Sequence, residues 1–178
     1  MNGKERSAVR RLDQLCASLS CAVDPKLTAI SIHKSERSLK LFCRQRLLKE
    51  YPVIVGRNAL GHKQREGDEK TPEGEYFICY RNAESRFHLF LGLSYPNEHD
   101  ARAALDKGEI DQQKLQEIVN CLERMECPDW HTPLGGEVGI HGGGIRREGT
   151  AGCIALKDED VEEIWAATGL GTPVTIRQ

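Results

Sequence analysis

The chain has 178 residues, a length that favours one domain of ordinary size. Its 39% apolar side chains, together with 17 glycines, are typical of a globular protein and argue against intrinsic disorder. The 25 Lys and Arg residues nearly balance the 27 Asp and Glu residues, so the net charge of −2 gives no reason to expect a nucleic acid or an anionic membrane as partner. No apolar run approaches the roughly 20 residues that a membrane-spanning helix needs.

We predict that residues 1–25 form a helical segment and assign the main domain to residues 26–178. A short amphipathic helix over 7–20 is predicted by apolar residues at helical spacing: Val9, Leu12, Leu15 and Leu19. Asp24-Pro25 ends it. The segment has cations but no apolar stretch of the kind that a secretion signal carries. We therefore expect either a cytosolic protein or one whose signal or anchor has been removed.

Alternating apolar and polar residues predict strands from Ile30 onwards. The first two strands form a hairpin whose polar turn lies at 35–38. A third strand is predicted over 47–55 and a long polar loop over 57–70. Thr71-Pro72 and Gly74 indicate a turn that sets the next strand. Further strands are predicted at four places: 76–78, 87–93, 138–140 and 174–176.

Two helices are predicted in the second half of the chain. An apolar face at helical spacing indicates a helix over 111–126, with Asp111 as its N-cap and Cys127-Pro128 as its stop. The last helix is marked by apolar residues on one face and a glycine at its end: Val161, Ile164, Trp165 and Gly169. Together the elements predict a mainly β domain with two or three helices.

The segment most suggestive of chemistry runs from His141 to Leu156. A strand leads to His141, a glycine-rich loop follows, and Cys153 ends that loop. A thiol must lose its proton to attack a carbonyl, and a neighbouring imidazole accepts that proton and lowers the thiol pKa. Glycines let backbone N–H groups approach a substrate oxyanion. The spacing favours a Cys–His nucleophile, although a buried structural Cys with a capping His fits the same residues.

Other kinds of site fit this segment less well. The HGGG sequence is similar to the oxyanion motif of lipases, but the chain lacks the G-x-S-x-G sequence that holds their nucleophile. A phosphatase loop would need an arginine where Glu159 stands. A zinc site is conceivable from loosely spaced ligands: Cys121, Cys127, His131 and His141. The seven cysteines leave at least one thiol unpaired.

The sequence HGGGIRREGTAGCIAL at 141–156 resembles the signature of the L,D-transpeptidase catalytic domain, the YkuD-type domain, in which a His-Gly pair and a variable loop precede Ser/Thr-x-Gly-Cys-Ile/Val. GDEKTPEGEYFI at 67–78 and FHLFLGLSYPN at 87–97 are similar to two other motifs of this family, in the same order. The opening ISIHKSERSLKLF at 30–42 is similar to its first hairpin. The resemblance covers about 28–178 and implies a mainly β, sandwich-like fold with peripheral helices.

Two positions depart from the usual motif of this family. Ala151 stands where many members have a histidine, and Ala155 stands where many have an arginine or asparagine. His141 is therefore the only base that the motif supplies. The missing arginine weakens any inference about how a substrate carboxylate is recognised. The HGGG…T-x-GCIAL form resembles one branch of the family.

The resemblance implies acyl transfer on peptidoglycan stem peptides through a thioester on Cys153, with His141 as the base. An amine or water then resolves the thioester, so an L,D-transpeptidase and an L,D-carboxypeptidase or amidase are both open. A non-catalytic cell-wall binding module and a cytosolic thiol hydrolase are further alternatives. The resemblance also implies a cell-envelope location, no metal or organic cofactor, no nucleic acid partner and a monomeric chain.

The resemblance assigns six further residues to the site. The Gly142 carbonyl is expected to orient the imidazole, and the N–H groups of Gly152 and Cys153 are expected to contribute to an oxyanion hole. Expected contacts to the stem peptide are Ser94, Tyr95, Thr150 and Arg146. For Ser94 and Tyr95 a turn at the end of a strand is the alternative interpretation, and for Arg146 it is a solvated charged loop.

Overall fold

The computed structural model describes residues 24–178 apart from 146 and 147, together with Ser7, Val9 and Gln14. Most of the predicted N-terminal helix therefore lies outside the described residues, and the three that are described are helical. A single 3-10 turn, Pro25–Leu27, leads into the first strand. The Asp24 carboxylate begins this turn by accepting a hydrogen bond from the Lys26 N–H at 3.0 Å.

The described strands form one sheet of eight, which confirms the predicted mainly β class. Their bounds are β1 Thr28–His33, β2 Ser38–Cys43, β3 Arg46–Pro52, β4 Gly74–Ser85, β5 His88–Leu93, β6 Gly139–His141, β7 Ile154–Ala155 and β8 Pro173–Arg177. The order across the sheet is β3-β2-β1-β8-β4-β5-β6-β7. The β1–β8 and β6–β7 pairs are parallel, and the other named pairs are antiparallel.

The β1–β2 hairpin forms where the alternation predicts it. Ile30 lies opposite Leu41, and Ile32 lies opposite Leu39. All four side chains are buried, because successive residues of a strand point to opposite faces and only one face meets the core. The burial of one apolar face fixes the register of the hairpin, since a slip of one residue would expose the whole set.

Strand β4 joins the two halves of the sheet. Its first residues, 74–77, pair with β8, and its later residues pair with β5. The register with β5 shifts twice, so the strand bends as it changes partner. The sequence predicts only 76–78 of this strand, because residues 80–85 are polar and have no apolar alternation. The backbone of this part of β4 nevertheless pairs with β5.

The segment after β3 crosses to the opposite edge of the sheet. The predicted third strand ends at Pro52, and Ile54 then forms an isolated antiparallel bridge with Ala155. The Ile54 N–H donates to the Ala155 carbonyl at 2.9 Å, and the Ala155 N–H donates to the Ile54 carbonyl at 2.8 Å. Gly56 forms an isolated parallel bridge with Thr150, whose N–H donates to the Val55 carbonyl and whose carbonyl accepts from the Arg57 N–H, each at 3.0 Å. This segment supports the loop that precedes β7.

Three helices are described: α1 Glu98–Asp106, α2 Gln112–Glu123 and α3 Asp158–Ala167. The Asp111 side chain accepts from the Lys114 N–H at 2.8 Å, which confirms the predicted N-cap of α2. Helix α3 ends at Ala167 with Thr168 as its C-cap, and the predicted Gly169 follows directly. Within the described part of the chain, no helix has the length and apolar character that crossing a membrane requires.

Helix α1 is absent from the sequence prediction. Its buried surface consists of small or polar residues, Asp100, Ala101 and Ala104, so the apolar periodicity is weak. The signal that identifies it is a capping box, in which the Asn97 side chain and the Asp100 side chain each accept a hydrogen bond from the other residue's N–H.

A disulfide between Cys79 and Cys127 ties β4 to the segment that follows α2. Cys43, Cys121 and Cys153 are free thiols, and Cys16 and Cys21 lie outside the described residues. The disulfide rules out the zinc site considered from sequence, because Cys127 has no thiolate left to bind a metal. Closing the 48-residue separation restricts the unfolded chain and fixes the start of the loop that leads to β6.

Candidate active site

Cys153 and His141 line the same cavity, which has a volume of about 900 Å³. Its lining includes the glycine-rich loop at 142–144 and residues Gly149 to Ala151. Four aromatic side chains also line it: Tyr80, Phe87, Phe90 and Trp130. Charged residues at the cavity are Arg57, Glu84, Arg86 and Glu137. This volume falls within the range of pockets that hold small organic ligands.

The parallel pairing of β6 and β7 brings the two residues to one face of the sheet. His141 lies opposite Ala155, and Ile140 lies opposite Ile154. Extending this register by one residue sets Gly139 beside Cys153. Since strand residues two apart share a face, Cys153 and His141 are diagonal neighbours on that face. The Leu156 N–H donates to the His141 carbonyl at 2.8 Å and holds the pairing beyond β7.

The imidazole of His141 is buried and held on two sides. Its Nδ1 lies 2.6 Å from the Gly142 carbonyl oxygen, and the Phe87 ring stacks on it with centroids 4.5 Å apart. A carbonyl only accepts hydrogen bonds, so Nδ1 carries the proton in this contact. The neutral ring then has its lone pair on Nε2, the nitrogen that a general base uses.

The Cys153 side chain is half-buried at the cavity wall, in surroundings that favour the protonated thiol. Its Sγ lies 3.4 Å from the Glu137 carbonyl oxygen, to which the S–H donates. Burial raises the pKa of Cys153, and the negative charge of Glu137 raises it further. The Gly139 N–H and the charge of Lys63 act in the opposite direction but do not outweigh burial. This direction is opposite to the lowered thiol pKa expected from sequence, because burial removes water that would stabilise a thiolate.

The pH dependence of Cys153 alkylation tests this direction. With a raised pKa, the thiolate is scarce at pH 7, so iodoacetamide should modify Cys153 more slowly than an exposed thiol there. The midpoint of its rate–pH curve should lie above about 8.5, the ordinary thiol value. Glu137→Gln removes a charge that raises the pKa and should shift the curve to lower pH, whereas Glu84→Gln, a matched change at the same cavity, should shift it less. Mass spectrometry of the modified peptide gives the rates, and a midpoint below 8 would contradict the prediction.

Two threonines fix the turn that carries Cys153. The Thr150 hydroxyl donates to the Cys153 carbonyl at 2.6 Å and accepts from the Gly152 N–H at 3.1 Å. The Thr71 hydroxyl donates to the Gly152 carbonyl at 2.9 Å and accepts from the Gly56 N–H at 2.9 Å. Gly152 has φ +137°, and a Cβ there would lie 2.8 Å from the Lys70 carbonyl oxygen, so only glycine fits this turn.

Thr71 is a positioning residue that the sequence analysis missed. The Thr71-Pro72 pair was interpreted as a turn, and the structure adds that the buried hydroxyl contacts the residue next to Cys153. The available signal was the family motif itself, which has a threonine at this point. The contact spans 81 residues of sequence, so no local pattern indicates it.

Substitutions of Thr71 distinguish the contribution of its hydroxyl hydrogen bonds to stability from that of its side-chain volume. Thr71→Val keeps the shape but leaves the Gly56 N–H and the Gly152 carbonyl without the hydroxyl, so we expect a loss of about 1–3 kcal/mol in the free energy of unfolding. Thr71→Ser retains the hydroxyl and should lose less. Urea unfolding of both variants measures the difference. Equal stability of Thr71→Val and the wild type would contradict the assigned contacts.

The structure corrects the roles expected for Gly152, Ser94 and Tyr95. The Gly152 N–H already donates to Thr150, so it is not available to an oxyanion. Ser94 is buried away from the cavity, where its hydroxyl accepts from the Phe77 N–H at 3.0 Å. Tyr95 is fully buried, with its hydroxyl donating to the Leu134 carbonyl at 3.1 Å. Both side chains are buried, and neither is among the residues that line the cavity.

Three other residues were expected at the site: Gly142, Thr150 and Arg146. Gly142 and Thr150 line the cavity, and the Gly142 carbonyl makes the expected contact with the imidazole. Arg146 lies outside the described residues, so its assignment to the substrate stays a prediction. Among the described residues, no group of three or more His, Cys, Asp and Glu side chains has the arrangement of a metal site.

Comparison with known proteins connects this site to one family. Residues 28–176 match the family profile of the L,D-transpeptidase catalytic domain, YkuD. A stretch of 78 residues is 37% identical to the putative L,D-transpeptidase YafK of Escherichia coli K12, covering 40% of this chain and 31% of that protein. The chain thus spans about a third of the length of the curated relative it matches.

Solved structures with a similar fold include Pgp2 of Campylobacter jejuni, described as a helical cell shape determining protein. It has a TM-score of 0.59 and 21% identity, over 85% of this chain and 48% of Pgp2. Bd1075 of Bdellovibrio bacteriovorus has a TM-score of 0.57 and 21% identity, over 85% of this chain and 48% of Bd1075. At these sequence identities the comparison shows a similar fold and nothing more. Because the profile covers most of the chain, including the segment that forms the cavity wall, the chain belongs to the L,D-transpeptidase catalytic domain (YkuD) family.

Proposed function

We propose that this protein is a cysteine-dependent acyltransferase that acts on peptidoglycan stem peptides. The observation that carries the proposal is that His141, at the end of β6, and Cys153, immediately before the parallel strand β7, line a single cavity. Membership of the L,D-transpeptidase family supports the choice of substrate. The bond attacked is an L,D-peptide bond, between meso-diaminopimelate and D-Ala in the stem peptide.

In the first half-reaction, Cys153 Sγ attacks the carbonyl carbon while His141 Nε2 takes the thiol proton. The S–C bond forms, and the tetrahedral intermediate then breaks its C–N bond. His141 returns the proton to the leaving D-Ala amine, which leaves a thioester on Cys153. A raised thiol pKa fits this order of events, because the proton leaves only as the substrate is attacked.

The oxyanion of that intermediate needs donors that the turn has not already used. The Gly152 N–H is occupied by Thr150, and the Gly143 N–H donates to Asp158 at 2.8 Å. The Cys153 N–H makes no hydrogen bond with the described residues. We therefore assign the Cys153 N–H as an oxyanion donor in place of Gly152.

In the second half-reaction, an amine attacks the thioester, His141 takes its proton, and the C–S bond breaks to restore the thiol. Water in place of the amine would give hydrolysis, which makes the L,D-carboxypeptidase or amidase reaction the alternative function. The two reactions share every step before the acceptor arrives. A non-catalytic binding module would need neither a thiol at the cavity wall nor an imidazole whose Nδ1 is held by the Gly142 carbonyl.

The disulfide bears on where the protein works. Cys79–Cys127 would persist in an oxidising compartment such as the bacterial periplasm, and cytosolic reductants would break an accessible bond of this kind. Peptidoglycan lies in the same compartment. We therefore propose a cell-envelope location and a monomeric chain.

Incubation with a tetrapeptide muropeptide, followed by mass spectrometry, tests the function. A crosslinked dimer would identify a transferase, and a tripeptide product would identify a carboxypeptidase. Unchanged substrate, together with no Cys153 adduct after exposure to a carbapenem, would leave only the binding module and overturn the proposal. An adduct at Cys153 without turnover of the muropeptide would contradict the proposed substrate.

A further inference from the structure

Glu137 lies directly beside the nucleophile. Its backbone carbonyl is the acceptor for the Cys153 thiol at 3.4 Å, its side chain is exposed, and the residue lines the main cavity. Its carboxylate is close enough for its charge to act on Cys153. None of the catalytic steps proposed above uses this carboxylate.

The backbone holds Glu137 in an uncommon conformation. Its φ of +51° is in the left-handed region, which costs a non-glycine residue free energy unless the surroundings impose it. The preceding Gly136 packs directly against Trp130, where a Cβ would overlap the indole and its backbone. The Cys79–Cys127 disulfide anchors the same segment at its start. The carboxylate is thus presented by a constrained backbone rather than by a free loop.

Glu137 and His141 lie on opposite sides of the thiol along the chain direction of β6. Gly139 is beside Cys153, His141 follows it by two residues, and Glu137 precedes it by two. The leaving amine and the incoming acceptor must both exchange a proton with His141, so they occupy the imidazole side. The acyl residue that stays bound to sulfur therefore lies on the other side of the thiol, next to Glu137.

The carboxylate of Glu137 makes no ion pair with any described residue. This sets it apart from Glu73, which binds Lys34 at 2.7 Å, and Glu163, which binds Lys49 at 2.6 Å. A negative charge beside a nucleophilic thiol opposes formation of the thiolate. Catalysis by Cys153 therefore gives no reason for a carboxylate at this position. A cation brought by the substrate would offset that cost.

We propose that Glu137 is a specificity-determining residue that binds a positively charged side chain on the acyl residue of the donor peptide. The ligand class is a residue whose side chain ends in an ammonium group. This inference rests on the proposed function, because it requires an acyl donor on Cys153. The ammonium pairs with the carboxylate, and it also removes the electrostatic opposition to the thiolate as the bond forms.

The test compares two donor tetrapeptides that differ only in the charge of the acyl residue, one with lysine and one with norleucine before the terminal D-Ala. Release of D-Ala measures acyl-enzyme formation without any acceptor. For the wild type we expect kcat/KM to favour the lysine donor by about tenfold or more. In Glu137→Gln, which keeps the length and the backbone carbonyl, the ratio should fall close to one.

Two further variants distinguish specificity from a structural role. Glu84→Gln removes an exposed carboxylate from the same cavity and should keep the preference. Glu137→Lys should reverse it, so that a donor with glutamate at the acyl position is used better than the lysine donor. An equal ratio in the wild type and Glu137→Gln, or the same loss in Glu84→Gln, would overturn the inference. No D-Ala release from any donor would instead overturn the proposed function.

Discussion

Cys153→Ala is expected to lower the rate of D-Ala release from a stem peptide by at least about 10⁴-fold, because Cys153 is the only thiol among the described residues that line the cavity. The substitution removes one half-buried sulfur atom that makes a single hydrogen bond, to the Glu137 carbonyl. The free energy of unfolding should therefore change by no more than about 1–2 kcal/mol. Muropeptide turnover by mass spectrometry and urea unfolding on the same preparation measure the two effects.

Cys121→Ala is the matched control for this variant. Cys121 is also a free, half-buried thiol, but it lies on α2 and does not line the cavity. Its loss should leave the rate within a few-fold of the wild type. Turnover retained by Cys153→Ala, or lost in Cys121→Ala with folding intact, would show that the nucleophile has been assigned to the wrong cysteine.

His141→Ala is expected to lower the same rate by about 10²–10⁴-fold near neutral pH. The loss should be large because burial raises the pKa of Cys153, so few thiolates exist without a base. At higher pH hydroxide removes the thiol proton, and the gap between variant and wild type should narrow. A pH–rate profile from 6 to 10 for both proteins measures this narrowing.

His141 is buried and stacks on Phe87, so its replacement also tests the packing of the cavity wall. His141→Gln keeps more of that packing and serves as the second variant, while His131→Ala changes an exposed histidine outside the cavity. His131→Ala should match the wild type. A rate loss in His141→Ala that stays constant across the whole pH range would indicate distortion of the site rather than loss of a base.

Two of the corrected features arise from contact between segments that are separated in the sequence, and the third is local to one turn. The buried positions of Ser94 and Tyr95 depend on Phe77 and Leu134, which belong to other parts of the chain. The Gly152 N–H is occupied because Thr150 folds back on it within the turn. A motif gives the residue types that meet at a site, but it does not give the hydrogen-bond partner of each backbone group.

The sequence by itself determined the mainly β class, the β1–β2 hairpin and the N-cap of α2, because strand alternation and capping act within a few residues. It also predicts His141 and Cys153 as the reactive pair, through their spacing around a glycine-rich loop and the resemblance of that segment to the family signature. These features depend on local residue types, so they can be inferred before any fold is known.

Only the tertiary structure decided the direction of the Cys153 pKa, the Cys79–Cys127 pairing and the role of Thr71. The disulfide joins residues 48 apart, and the Thr71–Gly152 contact joins residues 81 apart. Desolvation of the thiol likewise depends on which segments pack around it, the turn before β6 that carries Glu137 among them. The burial of a side chain and the partner of a hydrogen bond depend on every segment that packs nearby. A local sequence pattern does not show which distant segment that is.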